Sequence, residues 1–340
     1  MGWNTFAGHS FHSARWDHSV DIRDKRVGVI GTGSTACQIV GAITPQVKKM
    51  LVFQRTPQWM MALPQIEYSE RWNAMMERFP SLQKLSYHYY MQLMATTFAA
   101  GTVGNKTVQR LIHWACRKHL RESVADEALR ERLTPDYQAA CKRLIFCSDF
   151  YPAISSENAA LITERIENIE PSGVRTTDGS LHELDLLVLA TGFDPGAFIL
   201  PTRVRGENGV DLETRWAGAP RAHRAVALPD FPNFWMLEGP TGPVGNISLI
   251  TITEYQVDYV ISMLNKMKAE GLSVIKVKPT ACENYNASMR QGIKNTIWFT
   301  GGCDSWYFDA SGLPNLYPFK PTRYLKDMRH PDYSEYELVR

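Results

Sequence analysis

Three groups of residues in this sequence have the types and spacings that do chemistry. The first is Gly31-Thr32-Gly33-Ser34-Thr35-Ala36, which follows an apolar run, Arg26–Ile30, and opens a helical pattern. In a strand–turn–helix context the first glycine permits the tight turn and the second lets the backbone approach a pyrophosphate. The small third residue lets helix and strand pack closely. The first N–H groups and positive end of the helix then receive the phosphates. A second apolar run, 49–53, ends in Gln54-Arg55-Thr56-Pro57. Sites that select NAD usually place an acidic residue about 20 residues on, to bind the ribose 2′-hydroxyl. An arginine beside a hydroxyl suits a 2′-phosphate instead, so Arg55 and Thr56 favour NADP. A solvated surface arginine is the other reading of Arg55.

The second group is Lys142-Arg143 with Asp149, and the third is Phe6-x-Gly8-x3-His12-x3-Trp16-Asp17. Read singly, each has an ordinary explanation. Lys142 and Arg143 are solvated charge, Asp149 a helix N-cap, His12 a loop histidine and Trp16 a core anchor. Thr191-Gly192 closes a buried strand, and Trp306 covers a core.

The elements that must position these groups follow from periodicity. Residues 1–24, rich in Gly, His and Asp, read as loop. Strand 26–30, helix 35–43 and strand 49–53 make a β-α-β unit with a right-handed crossover. From 68 to about 139 long helical patterns dominate. Strands follow at 144–147, 160–163, 174–176 and 184–190, with Asp178-Gly179 as a hairpin turn. A short strand at 234–237, a helix over 247–269, a strand at 273–277 and a helix over 280–294 precede an aromatic-rich, irregular C-terminal segment.

At 340 residues, 44% hydrophobic and 21% charged, the composition is that of a globular protein with a substantial core. A net charge of +2 with dispersed basic residues gives no case for nucleic acid. The most apolar helical stretch, 87–104, is broken by polar residues and falls short of the roughly 20 apolar residues of a membrane span. Cysteines 37, 116, 141, 147, 282 and 303 show no metal-ligand spacing, so no metal is expected. Read as scattered thiols, they point to a reducing, cytoplasmic location.

The linker motif Phe6 to Asp17, lying just before the glycine turn, resembles the fingerprint of type I Baeyer–Villiger monooxygenases. The sequence is especially similar to the 4-hydroxyacetophenone monooxygenase branch. Supporting stretches are Val52-Phe-Gln-Arg-Thr-Pro-Gln-Trp59, Lys142-Arg143, Ser148-Asp-Phe-Tyr-Pro152 and Leu189-Ala-Thr-Gly-Phe-Asp194. Further on come Phe231-Pro-Asn-Phe234, Gly239-Pro240 with Asn246, and Gly302-Cys-Asp-Ser-Trp-Tyr307, so the resemblance covers nearly the whole chain.

The resemblance implies an α/β protein: a linker (1–24), a Rossmann-like NADP-binding domain (25–66 and 141–190) with a helical insertion (67–140), and the C-terminal part of an FAD-binding domain (191–340). It implies an NADPH- and FAD-dependent monooxygenase that uses O2 to convert a small-molecule ketone to an ester or lactone. Lys142 would help bind the 2′-phosphate, Arg143 would be catalytic and Asp149 would orient it. His12 would be a linker hinge, Thr191-Gly192 the return to the FAD domain, and Trp306 a neighbour of nicotinamide or substrate. The cofactor-binding set also takes in Asn246. An N- or S-oxygenating flavin monooxygenase shares this architecture; the Asp17 ending and Arg143 favour the Baeyer–Villiger type.

The family carries a further glycine turn for the ADP half of FAD, ahead of the linker, and these 340 residues hold one such turn. The chain is therefore expected to be truncated at its N-terminus and impaired in FAD binding, with a partner chain as one source of the FAD region. A non-catalytic NADP-binding remnant and one subunit of a split flavoenzyme are the alternatives. The expected purified chain is colourless; a stoichiometric flavin absorbance band contradicts this.

Overall fold

The computed structural model describes residues 3–62, 66–199, 201–245 and 247–340. In chain order the strands are β1 His9–His12, β2 Arg26–Ile30, β3 Lys49–Phe53, β4 Met60–Met61, β5 Ile145–Phe146, β6 Ala159–Ile162, β7 Ile166–Glu170, β8 Gly173–Thr176, β9 Leu181–Glu183, β10 Leu186–Leu189, β11 Val274–Val277 and β12 Tyr336–Val339. The helices are α1 Ser34–Ile43, α2 Glu70–Arg78, α3 Pro80–Thr96, α4 Phe98–Thr102, α5 Lys106–Ser123, α6 Glu127–Arg132, α7 Phe150–Ile154, α8 Leu212–Trp216, α9 Leu249–Glu270, α10 Pro279–Ile293, α11 Ile297–Thr300 and α12 Pro321–Met328. Two compact units emerge: Met1–Gln65, His113–Ala139 and Leu144–Phe193 form one, and Ile66–Ile112, Ala140–Arg143 and Asp194–Arg340 the other.

The first unit is built on a five-stranded sheet in the order β1-β10-β2-β3-β6, every pairing parallel. Buried on both faces, such strands read as apolar runs rather than alternating ones. That is why β2 and β3 fall where the sequence places them. Helix α1 turns Ala36, Cys37, Val40 and Ile43 inward, the spacing of one helical face. Gly41 on this helix lets α7 come close, because a side chain there would meet the Asp149 Cβ at 2.8 Å. Strands β7, β8 and β9 form an antiparallel meander, with Asp178-Gly179 turning between β8 and β9. The strand expected at 144–147 shortens to β5, which pairs with β4 outside the main sheet.

The expectation of loop over residues 1–24 is corrected at β1, whose His9 to His12 pair in register with Leu186 to Leu189. Its sequence, His-Ser-Phe-His, has weak strand propensity, and tertiary pairing supplies what propensity lacks. The fingerprint residues make that pairing feasible. Phe6 is buried in the cluster with Leu51, Phe53, Val174 and Leu187. Gly8 lets the Asp185 carbonyl approach where a Cβ would stand 2.6 Å from it.

Arg26 and Asp185 clamp the adjoining ends of β2 and β10. The Asp185 carboxylate accepts from the Arg26 backbone N–H at 2.8 Å and from its guanidinium at 2.8 and 3.1 Å.

The second unit packs α9, α10 and α12 with the antiparallel pair β11–β12 around Ile252, Tyr259, Met263, Ile275, Tyr324 and Met328. Two expectations are corrected here. The strand at 234–237 does not form; one bridge joins Ala227 to Trp235, and positive φ at Asn233 (55°) and Glu238 (54°) bends the backbone away on either side. The C-terminal segment is ordered as α12 and β12, because Tyr324, Leu325, Met328 and Tyr336 are core residues.

The Arg26 side-chain hydrogen bonds, followed by its backbone N–H, hold the Asp185 carboxyl down at about 2. A lowered folded-state value means the clamp contributes fully above about pH 4 and is lost as the pH falls through about 2. The thermal midpoint is therefore expected to drop from pH 5 to 2 in the native chain and to drop less in Asp185→Asn, measured by circular dichroism.

Candidate functional site

The glycine turn stands at the carboxyl edge of the parallel sheet, between the ends of β10 and β3. Gly31 adopts φ 120°, and its N–H donates to the Phe53 carbonyl at 3.1 Å. A Cβ there would overlap the Ala190 carbonyl, so only glycine lets the chain turn at this point. The Thr32 hydroxyl, buried, donates to the Thr56 carbonyl at 2.8 Å and ties the turn to the segment after β3. Gly33 occupies the N-cap of α1 in an extended conformation, no side chain caps the helix, and nothing lies within 4 Å of where its Cβ would be. The first N–H groups of α1 therefore face an open approach, with Ser34 and Thr35 in the first turn and Ala36 fully buried against the sheet. This is the arrangement a pyrophosphate needs.

Arg55 follows β3 directly. Its side chain is exposed, and it takes part in no ion pair among the described residues. Thr191 and Gly192 are exposed just beyond β10. His12, at the end of β1, accepts the Ala14 N–H on Nδ1 at 3.2 Å. The proton is thereby placed on Nε2, which lies 3.1 Å from the Gly192 carbonyl and donates to it. With both ring nitrogens engaged, His12 cross-links two strand ends and is not poised as a base. Phe11 and Trp16 meet edge to face at 4.9 Å, and exposed Asp17 accepts from the Ser19 N–H and hydroxyl. Asp149 sits at the N-cap position of α7, exposed and without a capping hydrogen bond. A cleft of about 400 Å³ in this unit, bordered by Trp59, Arg117, Arg121 and Arg130, takes in none of the candidate catalytic or cofactor-binding residues.

In the second unit Lys142 is half-buried and Arg143 exposed. The residue before them, Cys141, forms a disulfide with Cys303, their Cα atoms 6.0 Å apart. The reading of six unpaired thiols is corrected accordingly; four remain free, all buried. Trp306 is 51% exposed, and its ring lies 4.3 Å from that of Tyr307. Asn246 lies outside the described residues. Among the described residues no three His, Cys, Asp or Glu side chains gather as metal ligands, and no helix is long and apolar enough to cross a membrane.

Sequence reasoning missed the disulfide, the Gly192 carbonyl as the partner of His12, and Tyr307. Nothing in the sequence marks two cysteines 162 positions apart as partners. Tyr307 was visible in the aromatic pair with Trp306, but its burial was not.

A glycine turn opening a helix at the carboxyl edge of a parallel sheet, with an arginine after the next strand, is the arrangement found in dinucleotide-binding α/β folds. Residues 1–202 match the model of the flavin-binding monooxygenase-like family. Over 339 residues the chain is 40% identical to an uncharacterized monooxygenase of Mycobacterium tuberculosis, covering all of this chain and 68% of that protein. A Baeyer–Villiger monooxygenase of Streptomyces coelicolor is 34% identical over 346 residues, with 100% of this chain and 66% of that protein covered. Among solved structures, an oxidized steroid monooxygenase bound to NADP superimposes with a TM-score of 0.85 at 23% identity, over 99% of this chain and 71% of that one, and shares the fold. The chain belongs to the flavin-binding monooxygenase-like family. It spans about two thirds of the length of these relatives.

The disulfide sets a count. Denatured without reductant, the chain is expected to titrate four thiols, rising to six after reduction. Six before reduction would remove the Cys141–Cys303 bond.

Proposed function

We propose that this chain carries the NADPH site and an oxyanion-stabilising arginine of a Baeyer–Villiger monooxygenase, which converts ketones to esters or lactones with NADPH, FAD and O2. The observation that supports it best is the pairing of the open glycine turn with Arg55, an arginine free of ion pairs among the described residues. The 34% identity to a Baeyer–Villiger monooxygenase over the whole chain points the same way.

Among the described residues the five-stranded parallel sheet offers one strand–glycine turn–helix, and the nicotinamide dinucleotide takes it. No second turn among the described residues fits a flavin's pyrophosphate.

This chain's own residues do the following. The first N–H groups of α1 bind the pyrophosphate, and Gly33 keeps the approach clear. The Arg55 guanidinium takes the 2′-phosphate through charge-assisted hydrogen bonds, with the Thr56 hydroxyl beside it. Thr32 holds that segment in place by its bond to the Thr56 carbonyl. In the second unit Arg143 stabilises negative charge as it develops on the ketone oxygen. A guanidinium suits this because it stays protonated at any working pH.

Arg55→Ala is expected to raise the dissociation constant for NADPH roughly 10- to 100-fold, the loss of one or two charge-assisted hydrogen bonds, while NADH binding changes about twofold at most. Fluorescence titration with both nucleotides measures this. A preference for NADPH that survives the substitution would sink the assignment of Arg55.

A further inference from the structure

The cleft of about 400 Å³ in the first unit takes in no residue assigned a role above, and its two walls differ in charge. On α5 it is bordered by Arg117, Leu120 and Arg121, positions i, i+3 and i+4 of one helical face. Glu127, Arg130, Glu131 and Thr134 border it from α6 and the turn that follows, and the same spacing puts them on one face. Trp59 and Leu120, each 3% exposed, give the cleft a buried apolar base.

These walls are held in place. The Trp59 indole N–H donates to the Tyr137 carbonyl at 2.6 Å, and its ring meets His113 edge to face at 4.9 Å. Asp126 caps α6, accepting the Ala128 N–H at 2.9 Å. The Arg130 guanidinium donates to the Val124 carbonyl at 3.0 Å and stands 3.8 Å from Glu127, so it serves the α5–α6 connection. Arg117, Arg121 and Glu131 are exposed and take part in no ion pair among the described residues. The ion pair that α5 does make, Lys118 with Glu122, uses neither arginine of the cleft. Two arginines and two glutamates thus border one space without neutralising each other across it.

We propose that this cleft binds a small zwitterion of the α-amino-acid class, its carboxylate on Arg117 and Arg121 and its ammonium on Glu127 and Glu131. A guanidinium fork matches a carboxylate in geometry, and an ammonium donates in turn to carboxylate oxygens. Each charge of the ligand meets its opposite, and the apolar side chain lies toward Trp59 and Leu120. The volume falls at the lower end of small-molecule sites, roughly 300–1,000 Å³, which leaves room for an amino acid and bridging waters. The site goes beyond the dinucleotide reading and shares no residue with it.

L-Leucine serves as the probe, titrated calorimetrically into the full chain beside N-acetyl-leucine, which lacks the ammonium, and leucinamide, which lacks the carboxylate. Leucine is expected to bind with a dissociation constant on the order of 1 mM or tighter, and each derivative about tenfold more weakly, the loss of one charge-assisted contact. The double variant Arg117→Gln/Arg121→Gln should lose about tenfold for leucine and no longer distinguish it from leucinamide. Glu127→Gln/Glu131→Gln should likewise no longer distinguish leucine from N-acetyl-leucine. Circular dichroism checks that each variant is folded; if one is not, the three ligands on the native chain decide. N-acetyl-leucine binding as tightly as leucine makes the cleft an anion site only and overturns the proposal. Leucinamide binding as tightly makes it a cation site and does the same. Leucine affinity unchanged in both folded variants, or no leucine binding to the native chain, also overturns it.

Discussion

The first unit depends on one backbone constraint, the turn at Gly31. Strand β2 lies between β10 and β3, so the chain leaving it must turn between the Ala190 and Phe53 carbonyls. One of these accepts the Gly31 N–H, and the other stands where any side chain would be. From that single left-handed residue follow the Thr32 hydrogen bond to Thr56, the uncapped start of α1 and the exposure of Gly33. The geometry proposed to bind a phosphate is thus a by-product of fitting a helix onto the central strand of a parallel sheet. The clamp of Arg26 on Asp185 does the same service at the opposite ends of β2 and β10.

The parts of this architecture legible in sequence are those set by local pattern. Strands β2 and β3 match their expected bounds because doubly buried strands are uninterrupted apolar runs bordered by charge and glycine. Helices α9 and α10 differ from expectation by a residue or two at each end, within the usual fraying of helix termini. What escaped was set by distant partners. Strand β1 owes its state to β10, more than 170 positions away, and β12 owes its state to β11. The region of 234–237 looked like a strand because Phe-Trp-Met-Leu is apolar, but burial of Met236 among Leu212, Trp216 and Phe231 explains that composition without a ladder. The candidate site followed the same rule: the glycine turn and the place of Arg55 directly after β3 could be read from spacing, whereas the Cys141–Cys303 bond could not.

Several buried hydroxyls in the second unit are paired with one another or with the backbone. Tyr259 and Tyr336 share a hydrogen bond of 2.8 Å, and Tyr324 donates to the Arg224 carbonyl while accepting from Gln256. Glu335 closes a neighbouring cluster. Burial pushes its carboxyl up, yet hydrogen bonds from His223 and Arg224 outweigh this and hold it at about 2. Satisfied groups of this kind lock a core into one arrangement.

The disulfide also changes what kind of object the chain is. Joining Cys141 to Cys303 turns 142–302 into a closed ring with two tails. Strands β5 to β10, the segment carrying Thr191 and Gly192, and the whole of α9 and α10 lie on that ring. A protease that cuts it once opens the ring without dividing the molecule. The severed ends stay covalently joined, and two fragments separate only when a reductant is added.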